Sequence, residues 1–205
     1  MAPHVILASA SPARRALLLR AGITAEIIVS GIDEETAELL AMSPTELAYE
    51  LALRKASAID PRRSDGFIIA CDSVFELDGI PYGKPGTPEI AKERLQQMSG
   101  RTGTLHTGHA LIDIATSQVQ RALTSTDVTI VEMSGPEIDA YIATGEPLQV
   151  AGAFTIDSLG GPLVAAIKGD PSNVEGLSLP TLRALFARFG VGWEVFLQEI
   201  PRDSI

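Results

Sequence analysis

A single cysteine, Cys71, and three histidines stand in a chain of 205 residues. One thiol excludes an internal disulfide and a cysteine-built metal cluster, so folding must rest on core burial. His4, His106 and His109 form no His-x-x-x-His pair, which excludes the helical zinc pattern. No apolar run approaches the roughly 20 residues of a membrane helix, and the N-terminus lacks the basic, apolar and small-residue order of a secretory signal. The expectation is a cytoplasmic protein with no membrane partner. Basic residues are in the minority, 16 against 26 acidic, and the net charge of −10 opposes a polymeric nucleic acid partner while leaving room for a local basic pocket. Also missing are a Walker phosphate loop, a Gly-x-Gly-x-x-Gly turn and a Gly-x-Ser-x-Gly elbow. With no repeat, low-complexity tract or linker, and with 45% hydrophobic and 20% charged residues, residues 1–205 are expected to form one soluble globular domain.

What is present centres on residues 7–15, Leu-Ala-Ser-Ala-Ser-Pro-Ala-Arg-Arg. His4 to Ala8 reads as a buried strand. Ser11 stands at a helix N-cap with Pro12 at the first helical position, Ala16 to Leu19 form a packing face, and Gly22 ends the helix. The first turn of such a helix offers unpaired N–H groups and the positive end of the macrodipole, to which Ser9, Ser11, Arg14 and Arg15 add hydroxyls and guanidinium groups. That combination is a seat for phosphate, or, part by part, a purely structural helix start with its arginines on a solvated face.

Residues 24–30 read as a second strand. The acidic run Asp33-Glu34-Glu35 then admits two readings: Asp33 caps a helix over residues 34–41, or one acid is a ligand for a hard divalent cation. Ser43-Pro44-Thr45-Glu46 is a capping box that opens a helix over 44–59. Its wheel collects Leu47, Ala48, Leu51, Ala58 and Ile59 on one face, with Lys55 in the middle of them. That lysine either snorkels to the surface or points into a cleft that needs positive charge. Phe67 to Cys71 has the length of a strand covered on both faces, and Asp72 follows at its carboxyl end, where α/β sheets place ligands and catalytic groups; the alternative is a turn cap.

Residues 74–82 read as a hairpin around Asp78-Gly79. Gly83-Lys84-Pro85 then holds a lysine on a constrained backbone, suited to phosphate or simply a solvated loop. A helix opens at Thr87-Pro88 with Ile90, Ala91, Leu95 and Met98 inward. Residues 104–115 and 119–131 read as a long antiparallel pair, and Ser134 to Glu137 opens another capped helix closed by Gly145. Short strands are expected over 151–167, a turn at 169–173, a helix over 180–189 and a last strand over 193–200. The architecture is α/β with a mixed twisted sheet and flanking helices. Arginine and lysine around a helix N-terminus fit a polyphosphate, and two carboxylates fit a magnesium or manganese ion bridging its oxygens, so the natural chemistry is metal-assisted hydrolysis of a phosphoanhydride.

Seven motifs resemble, in order, those of the Maf-type nucleoside triphosphate pyrophosphatases: Leu7 to Pro12 with Arg14, Cys71-Asp72-Ser73-Val74, Gly83-Lys84-Pro85, Ser99-Gly100-Arg101-Thr102, Tyr141 with Gly145-Glu146, Ala151-Gly152-Ala153-Phe154, and Asn173 to Leu177. The resemblance implies two lobes around a central cleft, a homodimer, and cleavage of a nucleoside triphosphate to monophosphate and pyrophosphate with a divalent metal. It implies that Asp72 accepts the proton of the attacking water, that Glu34 joins it at the metal, and that Lys55 and Lys84 neutralise phosphate beside Ser9, Ser11 and Arg14. Ala13, Ser73 and Asp157 fall at positions that would set base specificity. The chain departs from its relatives there: Ala13 replaces the first of two consecutive arginines, while Ser73 and Asp157 stand where the thymidine and uridine triphosphate branch has Thr and Gln. Gly103 and Val150 replace a histidine and a lysine. The base preference is therefore open, and two other readings stand beside the enzyme: a nucleotide-binding regulator of septum formation, and an inosine triphosphate type of house-cleaning pyrophosphatase.

Overall fold

The computed structural model describes residues 2–34 and 36–197. In chain order these form β1 (Val5–Leu7), α1 (Pro12–Arg20), β2 (Glu26–Ile27), α2 (Ala37–Leu40), α3 (Pro44–Ser57), β3 (Phe67–Leu77), β4 (Ile80–Tyr82), α4 (Pro88–Met98), β5 (Thr102–Asp113), β6 (Val119–Ile130), α5 (Gly135–Ala143), β7 (Val164–Lys168), α6 (Pro171–Val174), α7 (Leu179–Arg188) and α8 (Glu194–Leu197). One mixed sheet runs β2-β1-β3-β5-β6-β7, with β4 paired to β3. The two parallel contacts, β1 with β2 and β1 with β3, lie at one end, and the remaining pairs are antiparallel.

Side chains alternate across a strand, and the core follows that period. Val5, Leu7, Phe67, Ile69, Cys71 and Leu111 face α1 and α7, where they pack on Leu17, Leu18, Leu182, Leu185 and Phe186. Ile6, Ala8, Ile68, Ala70 and Ala110 face the other way, onto Ala52, Ala56 and Ile59. A third cluster gathers Phe75, Leu77, Leu105, Val128 and Ile130 with Leu95, Met98, Ile138 and Tyr141. Helix α3 lies very close to the sheet because Gly108 has no side chain: a Cβ there would meet the Ala48 carbonyl oxygen at 2.1 Å.

Strand β3 carries the feature that matters most for function. Its β5 edge is paired from Phe67 to Glu76. Its other edge is shared: β1 pairs with residues 67–69 and β4 with residues 75–77. The last bond from the β1 side is Ala8 N–H to the Ile69 carbonyl, 2.8 Å. Between them, residues 70–74 have no strand neighbour on that edge among the described residues. The gap lies where β1 gives way to the turn before α1.

Several sequence expectations are corrected. Asp72 does not end its strand; β3 runs on through the gap to Leu77. The acidic run opens no helix at Asp33, since α2 starts three residues later with Thr36 as its cap. Leu19 is exposed beside buried Leu17 and Leu18 because residues two apart on a helix point about 200° from one another. Ile90 is exposed for a similar reason, Ala91, Leu95 and Met98 forming the inner stripe of α4, and Ala58 is the exposed C-cap of α3, whose buried face uses Ala52 and Ala56. The second strand is short, Glu26–Ile27, with one further backbone bond from the Ile28 N–H to the Leu7 carbonyl. Within the expected strands over 151–167, only β7 forms; residues 151–153 and 161–163 are short 3-10 turns with a loop between them, and residues 171–174 a short helix capped by Asp170. The last strand is a helix over Glu194–Leu197, and the remainder of the expected span, 198–200, lies outside the described residues.

Candidate active site

Consecutive residues of β3 feed two polar clusters on opposite faces of the sheet. Asp72 continues the alternation of Ile68 and Ala70 and so points toward α3, where Lys55 replaces an apolar residue in the buried stripe. Lys55 Nζ lies 2.5 Å from Asp72 Oδ1 and 2.8 Å from Glu34 Oε1, so one ammonium joins two carboxylates from distant parts of the chain. Lys55 and Asp72 are each only 8% exposed, whereas Glu34 reaches the pair from an exposed loop. Burial pushes the Asp72 carboxyl above its ordinary value, and the positive charges of Lys55 and Arg14 oppose that rise without cancelling it.

Ser73 points to the other face, toward α1. There the Arg14 guanidinium donates three ways: Nε to the Gly176 carbonyl at 2.8 Å, Nη1 to Ser9 Oγ at 3.2 Å, and Nη2 to Ser73 Oγ at 3.1 Å. Ser9 Oγ also accepts the Ser11 N–H at 3.2 Å, and Ser11 caps α1 by accepting the Arg14 N–H at 3.3 Å. The helix start thus has its hydroxyls and its arginine fixed by one another before any anion arrives, at the end of a helix that attracts negative charge. Ser73 Oγ is 2.9 Å from Thr107 Oγ1 across the β3–β5 ladder, and His109 accepts the Ser178 N–H at Nε2, 2.8 Å. Burial, aided by the charge of Arg14, keeps His109 neutral with its pKa pushed down to about 4. Cys71, in the apolar cluster facing α1 and α7, is fully buried and burial pushes its thiol up to about 12, which makes it inert.

The structure therefore brings together Ser9, Ser11, Arg14 and Ser73 on one side of β3, and Glu34, Lys55 and Asp72 on the other. Ala13 is half-buried in the first turn of α1, next to Arg14. Lys84 is exposed two residues after β4, the strand that bounds the gap, and makes no ion pair among the described residues. Asp157 is exposed on the loop 155–160, and no side-chain hydrogen bond or ion pair ties it to either cluster among the described residues. Thr107, His109 and the Gly176 carbonyl were not singled out from the sequence as members of the site. Thr107 and His109 owe their place to the register of β3 on β5, which no local pattern encodes; Gly176 lay within a recognised motif, but a carbonyl carries no residue-type signal.

Comparison with known proteins places the chain in a family. A family model described as Maf-like protein matches residues 4–189. The chain is 48% identical over 191 residues to a nucleoside triphosphate pyrophosphatase of Streptomyces avermitilis, covering 92% of each chain. It is 47% identical over 193 residues to one of Salinispora tropica, covering 92% of this chain and 84% of the relative, and 48% identical over 203 residues to one of Leifsonia xyli, covering 93% and 94%. The fold is that of an α/β protein with one mixed sheet flanked by helices, and the chain belongs to the Maf family.

Proposed function

We propose that this protein is a nucleoside triphosphate pyrophosphatase. Water attacks the α-phosphorus, the bond from that phosphorus to the bridging oxygen breaks, pyrophosphate leaves, and the proton of the water passes to the Asp72 carboxylate. The observation that carries this reading is the buried Asp72 carboxylate, held by Lys55 on the strand that also contributes Ser73 to the arginine-lined start of α1. Its raised pKa makes it a better proton acceptor than an exposed aspartate, which is what a general base requires. Ser9, Ser11 and Arg14 bind phosphate oxygens, and Lys55 and Lys84 neutralise their charge.

The donor set also fits a divalent cation. Glu34 and Asp72 present hard oxygen donors to one point, now bridged by the Lys55 ammonium, and no third His, Cys, Asp or Glu joins them among the described residues. Magnesium or manganese commonly takes one or two carboxylates and fills its remaining positions with water and substrate phosphate. Glu34 and Asp72 would hold the ion, and when bound it supplies positive charge to the phosphate oxygens. In this reading residues 1–205 form one domain, the gap on β3 opens into the cleft between its two lobes, and the protein works as a cytoplasmic homodimer whose mass light scattering would measure. Ala13, Ser73 and Asp157 meet the nucleoside and set its preference.

The test is a panel of nucleoside triphosphates with magnesium or manganese, scoring pyrophosphate and orthophosphate separately. Pyrophosphate with monophosphate is expected. Orthophosphate alone would overturn the proposed cleavage, and saturable nucleotide binding without turnover would point to a regulator.

A further inference from the structure

Glu146 accepts hydrogen bonds at both of its carboxylate oxygens. Tyr141 Oη donates at 3.0 Å, Thr155 Oγ1 at 2.5 Å and the Gly160 N–H at 2.9 Å, all to Oε1, while the Leu159 N–H donates to Oε2 at 3.2 Å. Tyr141 belongs to α5 and to the third apolar cluster, so it anchors one end of this grip in the core. The other donors lie on both limbs of the loop 155–160, two residues before Asp157 and two and three residues after it. No helix or strand runs through that loop. Its packing against Tyr141 is tight, since a Cβ on Gly160 would meet the Tyr141 hydroxyl at 2.5 Å and the Thr155 carbonyl oxygen at 2.6 Å.

We propose that Glu146 is a positioning residue for nucleobase recognition: by gripping both limbs of the loop it fixes where Asp157 presents its carboxylate to the base. This rests on the reading of Asp157 as a specificity residue. An ionised carboxylate only accepts hydrogen bonds, so the base edge it selects is one that offers adjacent N–H donors, as guanine does and uracil does not. Glu146 itself touches no reacting atom. Its loss moves the acceptor and leaves the chemistry at Asp72 in place, so the effect falls mainly on KM and on the choice between bases.

The experiment compares kcat and KM for GTP and UTP in the wild type, Glu146→Gln, Asp157→Ala and the double variant. Glu146→Gln keeps the size of the side chain but turns one acceptor into a donor facing N–H groups. The ratio of kcat/KM for GTP to that for UTP is expected to fall about tenfold, within what a misplaced binding group can cost. Most of that change should lie in KM. The double variant should match Asp157→Ala alone. Leu95→Ala, which loosens the same apolar cluster without touching the loop, should lower the melting temperature and leave the ratio as it was. A wild-type ratio in folded Glu146→Gln, with a shifted ratio in Asp157→Ala, overturns the proposal by itself. A wild-type ratio in Asp157→Ala overturns the reading of Asp157 and the proposal with it. Should Glu146→Gln fail to fold, Thr155→Val removes a single donor from the grip and must shift the ratio in the same direction.

Discussion

Lys55 Nζ sits 2.5 Å from Asp72 Oδ1, and both side chains are buried. A buried pair of this kind contributes little net stability, because desolvation offsets most of the attraction, yet removing one partner strands a charge. Lys55 thus favours the ionised form of a carboxyl that burial pushes toward its neutral form.

Substituting Asp72→Asn should lower kcat by at least about 10²-fold, the usual effect of losing a general base, with substrate binding largely kept. Circular dichroism would confirm the fold. Near-normal turnover in a folded variant would remove Asp72 from the role of base.

Lys55→Met should cost about 3 kcal/mol of stability at neutral pH, because it leaves the Asp72 carboxylate uncompensated. Adding Asp72→Asn should restore part of that loss. Urea midpoints of the wild type, the two single variants and the double variant measure the coupling directly, and additive losses would show that the pair is not coupled.

The pH dependence follows from the raised Asp72 pKa. Because the folded state binds this proton more tightly than the unfolded chain, the group favours folding at low pH, and that contribution is lost as pH rises through the folded pKa. Catalysis needs the ionised form, so kcat/KM should climb with pH along an acid limb that lies above the ordinary aspartate value of 3.8. Lys55→Met removes a charge that pulls this pKa down, and should displace the limb of the residual activity to higher pH.

Glu146 has the opposite sign. Burial works to raise its pKa, but the bonds from Thr155, Ser158, Gly160 and Tyr141 outweigh it and hold the carboxyl at about 2, below its ordinary 4.5. Its stabilising share is present above 4.5 and fades as pH falls toward 2. Urea midpoints of Glu146→Gln taken across that window should show a shallower loss than the wild type.

Gly108→Ala should destabilise the protein by about 1–3 kcal/mol, the range for overpacking a filled core. The added methyl would press on the backbone of α3 at Ala48, and Gly108 is the register partner of Asp72. Activity should fall more steeply than stability as α3, and Lys55 with it, moves off β3; a variant as active as the wild type would show that α3 tolerates the displacement.

Much of this site was legible in the sequence because its signals are local. The Ser-Pro start of α1, the capping boxes at Ser43 and Ser134 and the Asp78-Gly79 turn are each encoded within four residues, and each forms as expected, with Asp78 and Gly79 at φ 54° and 80°. Lys55 is visible as a charge out of phase with its helix, and instead of snorkelling to the surface it is buried against Asp72 and Glu34. What stayed hidden depends on pairing at a distance. Nothing near Ser73 announces that Thr107 will lie across from it, and nothing near Arg14 announces the Gly176 carbonyl. The departure at Gly103 likewise has a non-local partner: a Cβ there would come within 2.3 Å of the Phe75 ring, so the small residue and the large one fit together across two strands.

Adjacent residues of one strand, 72 and 73, serve opposite faces of the sheet, and this makes alignment a chemical parameter. If β3 slid by a single residue against β5, Ser73 would confront Lys55 and Asp72 would fall beside Arg14, interchanging the proton acceptor and the hydroxyl, and Glu76 would take the place of Phe75 in its apolar cluster. The ten residue pairs from Phe67 to Glu76 act as a vernier that prevents this exchange. An insertion or deletion of one residue between Cys71 and Val74 would therefore exchange the chemistry of the two faces and disturb the core with it.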